Sequence, residues 1–281
     1  MNDPITEAIL SDKPFFIGRI AGVELMAAYN QHEGDPFELP SNIAELENNA
    51  GIHVTDYESL RSYTTQLIKA YEHCTHIAEW ELTGQVYAKT GKGQDFIARR
   101  YPLIPKLLTR SLEPYYTPPS DHSWMQSIKG KRILIIHPFV KTIEQQLTVL
   151  RDVFPNRSWF EDCTFTVVAP PQTLAGNHLN QSWDIHYNAF IAQLTPTAES
   201  YFDVALVAAG GYGMLIADMI YTKMGKSVMY IGGALQLFFG IIGRRWFENK
   251  DIMSIVNDAW IRPISSDKPM GCGKVEKGCY W

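Results

Sequence analysis

The stretch FDVALVAAGGYGMLIADMIYTKMGKSVMYIGG, residues 202–233, decides how the chain is read. Phe202 to Ala209 is a short, continuous apolar run that ends in Gly210-Gly211-Tyr212-Gly213. Met214 to Met224 then carries apolar residues at helical spacing until Gly225, a residue suited to the left-handed conformation that closes a helix. Val228 to Ile231 is a second apolar run, followed by Gly232-Gly233 and a helical pattern over Leu235 to Ile242. Strand, glycine turn, helix and strand make a parallel βαβ unit, whose strands are covered on both faces and so read as unbroken apolar runs.

Outward from there the grammar repeats. Arg132 to His137 (RILIIH) and Phe165 to Ala169 (FTVVA) read as strands, Thr142 to Phe154 and Asp184 to Leu194 as helices. Pro14 to Ile20 is a strand candidate followed by a helix over Val23 to Tyr29. Gln31 to Thr55 is polar and reads as loop with short helices. Asp56 to Cys74 is a helix capped by Asp56 or Thr55, His76 to Trp80 a short strand, and Leu103 to Leu112 a helix. Tyr115 to Asp121, centred on Pro118-Pro119, reads as a linker dividing residues 1–120 from 121–281. The expected fold is α/β and Rossmann-like: a mainly parallel sheet with helices on both faces, two α/β halves in one compact body.

Composition narrows the function classes. The chain has 281 residues, 46% of them hydrophobic and 12% aromatic, with a formal net charge of -5, which suits a well-formed core and argues against disorder. No Lys/Arg-rich block provides the footprint of a nucleic-acid or anionic-membrane binder. Ser227 to Gly243 is nearly free of charge, but Gly232-Gly233 divides it into strand and helix, so no membrane span is expected. MNDPITEAILSDKPFF lacks a basic, then apolar, secretory pattern. The four cysteines, Cys74, Cys163, Cys272 and Cys279, are too scattered for a disulfide framework and read as free thiols of a reducing, cytoplasmic setting.

Right-handed crossovers put every strand-to-helix turn on one sheet edge, where open parallel sheets take their ligands. The residues expected along that edge are Gly18, Arg19, Gly22 and Glu24, then Glu79 and Trp80, then His137, Pro138 and Phe139. Pro170 and Gln172 come next, then Gly210, Gly211, Tyr212 and Gly213, and last Gly232, Gly233 and Gln236. Glycine turns opening helices expose backbone N–H groups that bind phosphate, and two in one cleft suit a diphosphate. The plain alternative for each glycine pair is a tight turn that binds nothing. GGYGM is not a GxGxxG fingerprint and no P-loop motif occurs, which demotes dinucleotide and NTPase readings.

Glu24 and Glu79 are the candidate catalytic acids, because group transfer from a hydroxyl needs a carboxylate within reach of the proton it takes. Glu24 could equally serve its helix N-terminus, and His137 could be a core histidine. Trp80, Phe139 and Tyr212 offer stacking faces; Lys141, Arg244 and Arg245 offer charge for a phosphate. No metal-ligand spacing and no nucleophile elbow is visible.

FFIGRIAGVEL, residues 15–25, resembles the strand-plus-RFGDGEL opening of glycosyltransferases of the GT-D type. SLEPYY, WMQSIKGKRILIIHPFVKTIEQQ and GGYGMLIADMIYTKMGKSVMYIGGALQLFFGIIGRRW are similar to related nucleotide-sugar enzymes, so the resemblance spans residues 14–30 and 111–281. It implies a nucleotide-sugar-binding second half and an acceptor-side first half carrying the acids. Arg19 and Glu24 fall on the family's Arg and Glu, whereas Gly22 falls on its Asp. The resemblance implies a divalent metal at the diphosphate, and the missing acid puts that metal in doubt. Within the family the chain is similar to small chlorovirus-encoded xylosyltransferases, which implies UDP-xylose as donor, a fucose-containing glycan as acceptor and the host cytoplasm as location. The rival readings are a non-catalytic nucleotide- or glycan-binding module and an α/β dehydrogenase or methyltransferase, for which GRIAG is a poor fingerprint.

Overall fold

Seven parallel strands form one sheet in the order β3-β2-β1-β7-β6-β4-β5. They are β1 (Phe16–Arg19), β2 (His76–Glu79), β3 (Lys106–Leu108), β4 (Arg132–Ile136), β5 (Thr164–Val168), β6 (Val204–Val207) and β7 (Ser227–Tyr230). The computed structural model describes residues 3–116, 123–198 and 202–281, so the linker centre Pro118-Pro119 lies outside the described residues. Helices α1 (Pro4–Leu10), α2 (Gly22–His32), α3 (Leu39–Glu45), α4 (Tyr57–Glu72) and α5 (Gln85–Arg100) belong to the first half of the chain. Helices α6 (Val140–Leu147), α7 (Leu150–Val153), α8 (Trp183–Ala198), α9 (Gly213–Met224) and α10 (Lys250–Met253) belong to the second. The result is a Rossmann-like α/β fold.

The two halves share that sheet through β1 and β7, where Phe16 pairs with Val228 and Ile17 with Met229. Successive residues of a strand point to opposite faces, and the core divides accordingly. Leu134, Ile136, Ala205 and Val207 pack on one face under α2, α4, α5, α8 and α9. Ile133, Ile135, Val204 and Leu206 pack on the other, with Ile5, Ile143, Leu235 and Trp260. Each layer thus draws residues from both halves.

Local chemistry explains where elements begin and end. Asp56 caps α4, its carboxylate accepting the Ser59 N–H at 2.8 Å, and Gly225 closes α9 at φ 62°. Three expectations need correction. Leu103–Leu112 is not a helix: Pro105 lacks an N–H and favours extended backbone before it, and the segment becomes β3 followed by a 3₁₀ turn at Thr109–Leu112. Thr142–Phe154 is broken between α6 and α7 at the β-branched-containing step Thr148-Val149. The helix expected over Leu235–Ile242 is a 3₁₀ helix, Gly232–Phe239, stopped by Gly240 at φ 67°. Helix α5 was hidden by Gly84, Gly91 and Gly93, yet Gly93 is where α2 approaches: a Cβ there would meet the Leu25 backbone at 2.8 Å.

The apolar Ser227–Gly243 segment is strand β7 and the 3₁₀ helix after it, and no helix among the described residues is long and apolar enough to cross a membrane. All four cysteines are free.

Candidate functional site

The carboxyl ends of β1, β4, β6 and β7 surround a cavity of about 540 Å³. This is the position the topology predicts, where the chain leaves β1 for β2 on one side and returns through β6 to β7 on the other. Of the residues expected there, Arg19, Gly22, Glu24, Trp80, His137, Pro138, Phe139, Gly210, Gly232, Gly233 and Gln236 line it.

The β1–α2 turn is held by Tyr71, whose hydroxyl accepts the Ala21 N–H at 3.0 Å and donates to the Arg19 carbonyl at 2.8 Å. The N-cap Ala21 supplies no side-chain acceptor for the first-turn N–H groups of α2. Glu24 sits in that turn, 7% exposed. Burial raises its pKa to about 7; its own backbone N–H opposes the shift, and the Glu276 charge, from a residue lining the same cavity, adds to it. A carboxyl near neutrality can take a proton and give it up.

Arg19 ends β1 and is committed on three sides. One Nη1 nitrogen donates to the Ile231 carbonyl and pairs with Glu113 Oε1 at 2.8 Å, and the guanidinium lies 4.7 Å above the centre of the Trp80 ring. Glu113 also lies 3.8 Å from Arg110. His137 succeeds β4 and is 2% exposed; its Nδ1 accepts the Phe139 N–H at 2.9 Å, which puts the proton on Nε2. Burial lowers its pKa to about 3, so the ring is a neutral donor.

The glycine turns divide in role. Gly232, at φ 74°, and Gly233 both face the cavity. At the other turn only Gly210 does, while Gly211, Tyr212 and Gly213 are buried behind it. A Cβ on Gly211 would meet Ile52 at 2.4 Å, and one on Gly213 the Tyr230 ring at 2.2 Å. Tyr230 in turn donates to the Gly210 carbonyl and Tyr63 to that of Gly211. The Tyr212 hydroxyl, its pKa pushed up to about 12 by burial, is in the core beside Thr173. Gly18 is a packing position against Cys74 and Met214. Gln236 donates to Ile241 and Tyr280 carbonyls, fastening two loops. Glu79 lines a smaller neighbouring cavity of about 220 Å³.

Sequence reasoning missed the C-terminal strap. Residues 265–281 form one wall of the cavity through Val275, Glu276, Tyr280 and Trp281, beside Arg245. Asp267 fastens the strap to Thr142 at 2.7 Å, Asn177 to the Met270 carbonyl at 2.8 Å, and Arg245 to the Tyr280 hydroxyl at 2.6 Å. Glu276 and Lys277 adopt φ 43° and 57°, a left-handed conformation that costs a non-glycine residue energy. The segment has no apolar periodicity, and its spaced glycines at 271, 273 and 278 were its one visible signal. Lys89, Arg110 and Glu113 were missed because α5 and β3 were.

Among the described residues, Glu47 and His53 come together with the distant His178 in a cluster with metal-ligand chemistry, donor atoms within 4.8 Å of one another. The imidazoles are stacked with centroids 3.6 Å apart and planes 5° from parallel. An ion bound through ring lone pairs must lie in both ring planes, which stacked parallel rings do not permit. His178 Nδ1 accepts the Asn180 N–H at 3.1 Å, so its Nε2–H is the donor toward Glu47. The trio fits a hydrogen-bonded pair of histidines around one carboxylate. At the main cavity, Gly22 offers no ligand where the GT-D pattern has an acid, and the carboxylates there are Glu24, Glu276 and the Arg19-paired Glu113.

No protein-family model, no curated protein and no solved structure matches the chain.

Proposed function

We propose that the protein is a glycosyltransferase that moves a sugar from a nucleotide sugar to a hydroxyl of an acceptor glycan. The observation that carries this reading is Glu24: a buried carboxyl with a pKa of about 7, at the strand-end cavity where a parallel sheet binds its ligand. The cavity's cations, Arg19, Lys89, Arg110 and Arg245, face the carboxylates Glu24, Glu113 and Glu276. With Glu24 ionised, as a base must be, the cations still outnumber the carboxylates, a balance that favours an anion such as a diphosphate.

In the proposed reaction the acceptor hydroxyl oxygen attacks the anomeric carbon as the bond from that carbon to the diphosphate oxygen breaks. Glu24 takes the hydroxyl proton and the diphosphate leaves with the bonding electron pair, inverting the anomeric centre. Charge growing on the leaving group is met by the N–H groups of Gly232 and Gly233, by His137 Nε2–H and by the cavity's cations. Trp80 and Tyr280 supply apolar faces. Gly22 removes one of the acids with which the family would hold a divalent metal, so no step here depends on one. UDP-xylose as donor and a fucose-containing glycan as acceptor rest on the resemblance of residues 14–30 and 111–281 alone.

Calorimetry with a panel of UDP-, GDP- and dTDP-sugars tests the reading. Binding of one donor, with release of its nucleotide when acceptor is added, supports it. Binding without release makes the protein a nucleotide-binding module, and no binding at all removes both.

A further inference from the structure

In an inverting transfer the leaving diphosphate and the attacking hydroxyl stand on opposite sides of the anomeric carbon. The donor's sugar ring must then lie between the Gly232-Gly233 turn and Glu24, and the strap borders both. Tyr280 packs on Gly233, where a Cβ would collide with its ring, and a Cβ on Gly243 would collide with the Tyr280 carbonyl, so two missing side chains let the strap in. Glu276 lines the same cavity, and its charge acts on Glu24.

This wall is anchored, and its polar groups are open to a ligand. Buried Gln236 donates to the Tyr280 carbonyl at 3.3 Å, the Arg245 N–H donates to that of Cys279 at 2.9 Å, and Trp281 is buried in the core beside Phe139. Glu276, at φ 43°, puts a side chain where the backbone favours glycine, and its N–H is held by Asn49 Oδ1 at 3.4 Å. That side chain is 44% exposed and the Arg245 side chain 36%. Arg245 Nη1 lies 3.7 Å from Glu276 Oε2 and donates to the Tyr280 hydroxyl at 2.6 Å. Glu276 Oε2 also accepts the Cys279 thiol at 3.3 Å, while Oε1 has no hydrogen-bond partner among the described residues.

These groups define the ligand's chemistry. An ionised carboxylate only accepts and a guanidinium only donates, so side by side they match two adjacent hydroxyls, one donating to Glu276 and the other accepting from Arg245. The pair is neutral as a whole, and ionised Glu24 makes its surroundings negative, which favours an uncharged group over a phosphate. The other cations of this region, Arg244, Lys274 and Lys277, lie outside the lining, and the cavity's remaining ones, Arg19, Lys89 and Arg110, come from the first half of the chain. We infer that Glu276 and Arg245 are the specificity-determining residues for the donor's sugar, binding adjacent hydroxyls of a neutral ring whose apolar face meets Tyr280. The inference rests on the glycosyl-transfer reading and goes beyond it by assigning sugar recognition to the strap.

The test is Glu276→Ala, which removes one member of an exposed ion pair of the kind that contributes little to stability. Calorimetry on wild type and variant compares each nucleoside diphosphate with its sugar ester: UDP with UDP-xylose and UDP-glucose, GDP with GDP-mannose, and dTDP with dTDP-glucose. Thermal unfolding of both proteins runs alongside. The expected result is that affinity for the sugar ester that wild type binds falls roughly tenfold in Glu276→Ala, while affinity for the matching free diphosphate holds or rises and the melting temperature is unchanged. A merely structural role would weaken ester and free diphosphate together. That outcome, or an ester affinity indifferent to Glu276→Ala, overturns the sugar subsite and leaves the donor-binding reading standing. Absence of binding by wild type to every nucleotide and ester overturns that reading, and the subsite with it.

Discussion

Arg19 Nη1 and Glu113 Oε1 lie 2.8 Å apart beneath the cavity, both side chains nearly buried at 11% and 5% exposure. The arginine that sequence places at the end of the first strand therefore has its charge answered within the fold, and its stem and plane are fixed by Ile231 and Trp80. Its first contribution is to shape the site. Removing it leaves the nearly buried Glu113 carboxylate with Arg110, 3.8 Å away, as its remaining cation.

Arg19→Met should cost about 3 kcal/mol of stability, the low end of the penalty for breaking a buried pair from one side, because Arg110 stays beside Glu113. Urea unfolding measures it as a lowered midpoint at unchanged slope. Arg19→Met with Glu113→Leu should recover much of the loss, because no charge is then left unpaired.

Glu24→Gln should lower the transfer rate by roughly 10²–10⁴-fold with donor affinity little changed, the range for loss of a general base. In wild type the rate should fall as pH drops through about 7, where Glu24 becomes protonated. Glu276→Gln removes a charge that raises the Glu24 pKa, so the acid limb should move to lower pH. The shift should be small, since burial is the larger cause.

The same raised pKa makes Glu24 a stability cost. Between 4.5 and about 7 the folded protein holds this proton and the unfolded chain does not, so the stability it brings is present at low pH and lost as pH rises through 7. A rise from 4.5 to about 7 corresponds to about 3 kcal/mol, and Glu24→Gln should recover that order at pH 8 and little at pH 4. His137 acts in the other direction: held neutral down to about 3, it weakens the fold as pH falls below 6.5. Thermal unfolding of wild type and Glu24→Gln across pH separates the two.

Two glycines distinguish packing from ligand binding. Gly213→Ala presses a Cβ to within 2.2 Å of the Tyr230 ring in the core and should cost about 1–3 kcal/mol of stability. Gly233→Ala meets Tyr280 of the strap at 2.3 Å and should loosen residues 265–281 and weaken donor binding with a smaller change in melting temperature. Unfolding and donor calorimetry on both variants check the contrast.

The strands of the second half were legible because burial on both sheet faces makes them continuous apolar runs, and Gly225 marked the end of α9 through its left-handed geometry. Lys106–Leu108 was not, being three residues with partial burial that come after a proline. Gln85–Arg100 was not, because its glycines serve contact with α2 and lower helix propensity at the same time. For the site, Arg19, Glu24, His137 and Gly232 were legible because each stands at, or just beyond, the carboxyl end of an apolar strand. Position beside a strand end could not reveal Glu276 and Tyr280, which arrive on a strap with no repeating pattern. It also drew in Gly213, which stands just beyond its strand but packs beneath the turn.

The most direct measurement is single-turnover nucleotide release from the donor that calorimetry identifies, with acceptor present, for wild type and Glu24→Gln between pH 5 and pH 9. The account predicts release by wild type with an acid limb near 7 and loss of that limb, together with most of the rate, in Glu24→Gln. Equal rates in the two proteins, or an acid limb that persists without Glu24, would contradict it.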